Sequence, residues 1–187
     1  MNEHLVLVDF YDNAVGETDK ESAHAKPLLH RAFSVFLYDD TAAEPLLLLQ
    51  KRAITKYHSG GLWGNTCCSH PRVGEELFTA AARRLAEELA IPAPRLVEIG
   101  AFVYYHQFHP ALYEYEFDHV LAGRYTGPCR ADPAEASEAL WVSADKLAAD
   151  LRANPQAYTA WFSIAASIVL RYLAEQKGAV DKTEISK

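Results

Sequence analysis

Two adjacent cysteines, then a histidine and a proline, stand inside GGLWGNTCCSHPRVGEE (60–76). A disulfide between chain neighbours strains the backbone. The pair also lacks the C-x-x-C spacing of a zinc knuckle or a redox motif. In an extended stretch Cys68 and His70 share one face and Cys67 takes the other. Cys67 is then expected to pack as a small hydrophobe. Cys68 follows His70 toward any site, where a neighbouring cation would lower its pKa and fit it for proton transfer near neutrality. Two buried, inert thiols are the competing reading.

Two further segments could bring chemistry to that pair. KESAHAKPLLHRAF (20–33) holds His24 and His30, and Pro27 forbids a helix running across both. YEYEFDH (113–119) alternates, so Tyr113, Tyr115 and Phe117 take one face of a strand and Glu114, Glu116 and Asp118 the other. Its neighbouring carboxylates stand roughly 7 Å apart. On a solvent face they only aid solubility; in a pocket they need a cation or a shared proton. His24, His30, His70 and two carboxylates together would suit Mn²⁺, Mg²⁺ or Zn²⁺. The remaining histidines, His4, His58, His106, His109 and His119, read as surface or loop residues.

The third group lies on EELFTAAARRLAEELA (75–90), built from good helix formers and closed by Pro92. Helical spacing puts Phe78, Ala82, Leu85 and Leu89 on one apolar stripe, with Leu77, Ala81, Arg84 and Glu88 beside it. Glu88 then sits on the shoulder of the buried face, whereas Glu87 faces water. An ordinary Arg84–Glu88 surface pair explains the same spacing.

The elements that must position these groups follow from patterning. AFSVFLYDD (32–40), PLLLLQKR (45–52), LVEIGAFVYY (96–105) and LYEYEFDHVLAG (112–123) read as strands. ALWVS is a short strand, and Ser143 caps the helix after it. PQAYTAWFSIAASIVLRYLAEQ is a long amphipathic helix with Pro155 in its first turn, and the polar tail 177–187 is expected to fray. Strands outnumber helices without strict alternation, so we expect an α+β sandwich with a mixed sheet, in one domain over 1–187 with its core at about 4–175. Of 187 residues, 50% are hydrophobic and 23% charged, enough for a sizeable core. The net charge of -7 excludes a general basic nucleic-acid surface but not a local anion site. Three cysteines without framework spacing suit a reducing compartment. MNEHLVLVDF lacks the features of a signal peptide, and AWFSIAASIVL is too short to span a bilayer. The expectation is a cytoplasmic monomer with no membrane or nucleic-acid partner.

Taken together, GNTCCSHPRVGEE, the AAARRLAEELA helix, YEYE and HAKPLLH resemble the type 1 isopentenyl-diphosphate delta-isomerases, a family with the Nudix α/β/α sandwich fold. The similarity runs over roughly residues 4 to 175, in the expected motif order. It implies Cys68 as the active-site cysteine and Glu116 as its acidic partner. It implies His24, His30, His70, Glu114 and Glu116 as ligands of a buried divalent metal. Glu88 and the backbone carbonyl of Cys68 would hold a Mg²⁺ that arrives with the substrate diphosphate. Lys20, Arg52, Lys56 and Arg84 fall at the diphosphate-binding cations, and Tyr104 and Trp161 at the aromatics flanking the isoprenoid carbons. The hydrolytic Nudix box, G-x5-E-x7-R-E-U-x-E-E-x-G-U, is altered here: Ser69 replaces its first Gly, and Arg84 replaces the Glu after Arg83. A cation in place of a metal-binding carboxylate favours holding a diphosphate over cutting it.

The implied reaction interconverts isopentenyl and dimethylallyl diphosphate. Glu116, assisted by Tyr104, would protonate the terminal methylene, and Cys68 thiolate would remove a C2 proton from the opposite face. Trp161 would stabilise the intermediate tertiary cation. Two alternatives remain open: a Nudix hydrolase of a small organic diphosphate, and a non-catalytic module whose histidines and glutamates hold a structural metal.

Overall fold

The computed structural model describes residues 4–185, with side chains through residue 178. In chain order the described residues form β1 (His4–Val8), β2 (Ala14–Asp19), α1 (Lys20–Ala25), β3 (His30–Asp39), β4 (Leu46–Arg52), β5 (Trp63–Gly64) and β6 (Cys67–Ser69). Then come α2 (Leu77–Leu89), β7 (Val97–His109), β8 (Leu112–Arg124), β9 (Ala136–Ser143), α3 (Ala144–Ala153) and α4 (Phe162–Ile185). The hub is β3. It runs parallel to β8 from His30 to Tyr38 and antiparallel to β6, β4 and β1 at successive points. β7 is antiparallel to β8, while β5 and β9 pair with β4. The sheet is mixed, as the patterning requires.

Both faces of that sheet are covered, which explains why β3 and β4 read as near-continuous apolar runs. Phe36, Tyr38, Leu47, Leu49 and Val120 pack on Leu147 of α3 and on Phe162, Ala165, Ala166 and Val169 of α4. Phe33, Val35, Leu37, Leu48 and Leu121 face the other way, onto Ala80, Ala81, Leu85 and Leu89 of α2. Burying each of the two fully enclosed leucines of α2 contributes about 1.5–3 kcal/mol. This is an α/β/α sandwich in the Nudix manner.

Four details depart from the sequence reading. The residues before β3 form a hairpin, β1 with β2, and a short helix capped by Asp19, whose carboxylate accepts the Ser22 N–H at 2.8 Å. On α2 the buried residues are Ala80, Ala81, Leu85, Glu88 and Leu89, and Phe78 is exposed, so the buried face is turned from Phe78 toward Glu88. The long C-terminal helix starts at Phe162 rather than near Pro155: residues 155–157 make one 3-10 turn, and the Thr159 N–H leaves to pair with the Trp63 carbonyl. At its other end α4 continues to Ile185, through the stretch expected to fray; Ala, Lys and Glu there are good helix formers. The last two residues of the tail lie outside the described residues. The Ser143 cap is as expected, accepting the Lys146 N–H at 3.4 Å. Among the described residues no helix is long and apolar enough to cross a membrane.

Candidate active site

The segment around the cysteine pair is held by its neighbours' backbones. The Thr66 hydroxyl accepts the Leu37 N–H and donates to the Leu48 carbonyl, wedging the chain between β3 and β4. Asn65 donates to the Cys67 carbonyl and accepts the Trp161 indole N–H at 3.1 Å, so one side chain fixes both the cysteine strand and the tryptophan. Strand alternation then separates the thiols. Cys67 is fully buried under α2, and Cys68 lines a cavity of about 80 Å3.

Register aligns the acid–imidazole group. On three neighbouring strands His30, Glu116 and Tyr104 occupy one row. His70 follows β6, and His24 lies in the last turn of α1. His24, His30, His70 and Glu116 are all buried, and one potential ligand atom of each lies within 4.8 Å of the others. The His30 Nδ1 is 2.8 Å from the Leu28 carbonyl, which can only accept; the proton therefore sits on Nδ1 and the Nε2 lone pair faces the cluster. That Nε2 is 3.2 Å from the His70 Nε2, which is 2.8 Å from Glu116 Oε1. The His24 Nε2 is buried with no hydrogen-bond partner. Burial, then the neighbouring imidazoles of His70 and His30, push His24 down to a pKa of about 3, so it is neutral and able to ligate. Burial also lowers His70; it acts the same way on His30, where the Glu116 carboxylate overrides it and raises the pKa. For Glu116 burial opposes ionisation, but the His30 and His70 contacts win and hold it well below the usual carboxylate range.

Glu114 stands beside this group rather than within it. Its Oε1 is 3.8 Å from the His24 Nε2 and 2.8 Å from the His58 Nε2. The Tyr104 hydroxyl lies 2.5 Å from Glu114 Oε2 and 2.6 Å from Glu116 Oε2, so a single phenolic proton faces two carboxylates. Tyr104 thus backs the carboxylates, while Trp161 lines the cavity itself. The rings are 6.2 Å apart.

On α2, Glu88 lies on the buried face, deeper than the shoulder position expected, while Glu87 is exposed as expected. Arg84 does pair with Glu88, at 2.7 Å, but as a partly buried cation against a buried acid rather than a surface pair. Gln50 donates to Glu88 Oε2 at 2.8 Å, and the Cys67 thiol is 3.4 Å from Oε1. Burial raises the Glu88 pKa against these contacts. Lys20, Arg52, Lys56 and Arg84 all line the same cavity as Cys68, Glu88, Glu114 and Glu116. The Arg52 guanidinium also lies over Trp161, 5.6 Å from its centroid.

Two expectations are corrected here. The Cys68 thiol is not acidified in the ligand-free protein: burial, against the opposing Arg52 guanidinium, drives its pKa up, and Glu88, Glu116 and Asp118 act in the same direction as burial. His58 and His119 are buried, not surface residues. His58 is stacked on Phe108 and lines the cavity, and His119 is gripped by Glu98 and Asp12 at 2.8 and 3.1 Å. Sequence reasoning also missed Tyr57 and Glu135 on the cavity wall and Gln50 and Asn65 behind it. Only Asn65, within the GNTCC run, stood next to a signal.

The family model described as NUDIX domain matches residues 28–162. Isopentenyl-diphosphate Delta-isomerase 2 of Photorhabdus laumondii is 48% identical over 162 residues, covering 87% of this chain and 89% of that protein. Isopentenyl-diphosphate Delta-isomerase 1 of Aromatoleum aromaticum is 44% identical, covering 96% and 99%. Among solved structures, a MutT Nudix hydrolase from Burkholderia pseudomallei superposes with a TM-score of 0.60 at 21% identity, covering 75% of this chain and 98% of its own, a likeness of fold alone. A Nudix sandwich, and near-full-length relatives that share one name, lead to one assignment: the chain belongs to the isopentenyl-diphosphate Delta-isomerase family.

Proposed function

We propose that the protein interconverts isopentenyl and dimethylallyl diphosphate by moving one proton on and another off opposite faces of a five-carbon chain. The observation that carries this reading is the lining of a single cavity, in which a thiol and a carboxylate meet four cationic side chains.

Lys20, Arg52, Lys56 and Arg84 hold the diphosphate. Its negative charge needs local cations in a protein whose net charge is -7. Glu88 and the Cys68 carbonyl fit a Mg²⁺ carried in with it. His24, His30, His70 and Glu116, with Glu114 adjoining, fit a buried divalent ion. Three imidazoles and a carboxylate are an ordinary donor set for one, and the partnerless His24 Nε2 otherwise leaves a buried polar atom unsatisfied. Such an ion neutralises the crowded carboxylates and sets the acidity around Glu116.

An alkene is a weak base, so its protonation needs a strong acid kept from water. Glu116 gives its proton to the terminal methylene, with Tyr104 hydrogen-bonded behind its second oxygen. The tertiary cation at C3 lies against Trp161, an interaction worth about 2 kcal/mol when desolvated. Cys68 takes the C2 proton, and the new double bond forms.

Incubation with isopentenyl diphosphate in deuterated water tests the reading. Deuterium is expected in the dimethylallyl product; Cys68→Ala and Glu116→Gln should each reduce turnover by at least ~10³-fold, whereas Cys67→Ala keeps most of it. Release of phosphate instead of rearranged product would restore the hydrolase alternative.

A further inference from the structure

The ligand-free cavity already contains an anion of the protein's own. Glu135, just before β9, accepts from Lys56 Nζ at 2.5 Å and from Arg84 Nη2 at 3.1 Å, both through Oε2. Its side chain is 25% exposed and lines the same cavity as Cys68 and Glu116. The backbone fixes it from both sides: the Ala53 N–H donates to the Glu135 carbonyl at 3.0 Å, and the Glu135 N–H donates to the Asp132 carbonyl at 2.9 Å. The Ala53 carbonyl also accepts the Lys56 N–H at 3.1 Å, so the acid and the lysine are both tied to the backbone of one residue. Lys56 and Arg84 share this carboxylate. Nothing in the isomerisation chemistry uses Glu135.

We propose that Glu135 is a resident counter-anion that sets the cavity's anion selectivity, releasing Lys56 and Arg84 only to a ligand of higher charge. This rests on reading the cavity as a diphosphate site. A single phosphate group brings those two cations little more than the carboxylate already gives, and it must then sit beside the displaced acid. A diphosphate also engages the other cavity cations, Lys20 and Arg52, and so offsets the lost pairing. The carboxylate thereby keeps Lys56 ordered between turnovers, shares Arg84 with Glu87 and Glu88, and turns away monoanionic and monophosphate ligands.

Calorimetric titration of the full chain with inorganic pyrophosphate and with orthophosphate, each with and without Mg²⁺, tests this on wild type, Glu135→Gln and Glu135→Ala. Wild type is expected to bind pyrophosphate far more tightly than orthophosphate. Removing the charge should strengthen orthophosphate binding most, so that the ratio of the two affinities falls about tenfold in both variants. An unchanged ratio overturns the proposal, and so does weaker pyrophosphate binding in the variants, which would make Glu135 part of the binding surface. Weakening confined to the Mg²⁺ arm would make it a metal ligand and overturns it equally. Wild type failing to bind pyrophosphate at all would instead remove the diphosphate reading beneath it.

Discussion

At 2.8 Å from Glu114 Oε1, the His58 Nε2 supports a carboxylate that has no place in the tight imidazole cluster but borders it. No spacing rule could have found this residue, because it sits in an irregular stretch where neither period 2 nor period 3.6 assigns a face. The other site side chains were legible for the opposite reason. Glu114 and Glu116 alternate on a strand, Cys68 and His70 alternate across β6, and Glu88 has helical spacing. Even so, pattern alone did not separate a pocket from a solvent face; the resemblance did that. In the proposed reading His58 is a positioning residue for the metal site, and its ring packing can be separated from its hydrogen bond. His58→Phe keeps the stack on Phe108, yet should lower Co²⁺ affinity about tenfold, read from the d–d absorption of the bound ion. His58→Gln, which retains a donor, should recover most of the loss. Equal affinities in all three proteins would reduce His58 to packing.

Among the elements, α2 shows how a catalytic face and a structural clamp share one helix. Its first turn has no side-chain cap, but Glu75 accepts the Arg72 N–H at 2.9 Å and two bonds from Arg83 at 2.8 and 2.9 Å. Its last turn closes on Ala90, left-handed at φ 53°, whose N–H returns to the Ala86 carbonyl. Hydrogen bonding from Arg83, ahead of the opposing effect of burial, holds Glu75 below its ordinary pKa of 4.5. A depressed carboxylate stabilises the fold above its unfolded pKa, and that contribution is lost as pH falls through the folded one. Glu75→Gln should therefore cost about 1 kcal/mol near pH 7 in urea unfolding, and the gap should close below about pH 4.5. A gap that does not shrink as the pH is lowered would mean the clamp is not ionic. The helix itself was legible from composition, and so was the Arg84–Glu88 spacing, but the depth of Glu88 was not. Gln50 and Cys67 help Arg84 make a buried Glu88 tolerable, and their distant positions in the chain hide that part of the compensation.

For the molecule as a whole, the sandwich followed from strand-rich patterning, but the N-terminal hairpin did not. Its β2 strand, Ala14–Asp19, is largely exposed and has no apolar alternation to report it. What holds this region is tertiary: the Leu7↔His30 pairing, the Leu5↔Arg72 bridge, and Asp12, which accepts from Arg31 at 2.7 Å and lies 3.1 Å from His119. The imidazole cluster adds a further attachment through His24. Stripping divalent ions with a chelator should accordingly speed amide exchange in residues 20–25 by at least ~10-fold while the α2 and α4 cores stay protected. Uniform loss of protection would indicate instead that the metal holds up the entire fold.

A six-residue helix, α1, carries Lys20 at one end and His24 at the other. In the proposed reading, occupancy of the inner ion site and of the outer phosphate grip would bias each other by the same factor, each ordering the lever the other uses. A cell short of the inner ion would see a weaker apparent hold on substrate before it saw a slower chemical step.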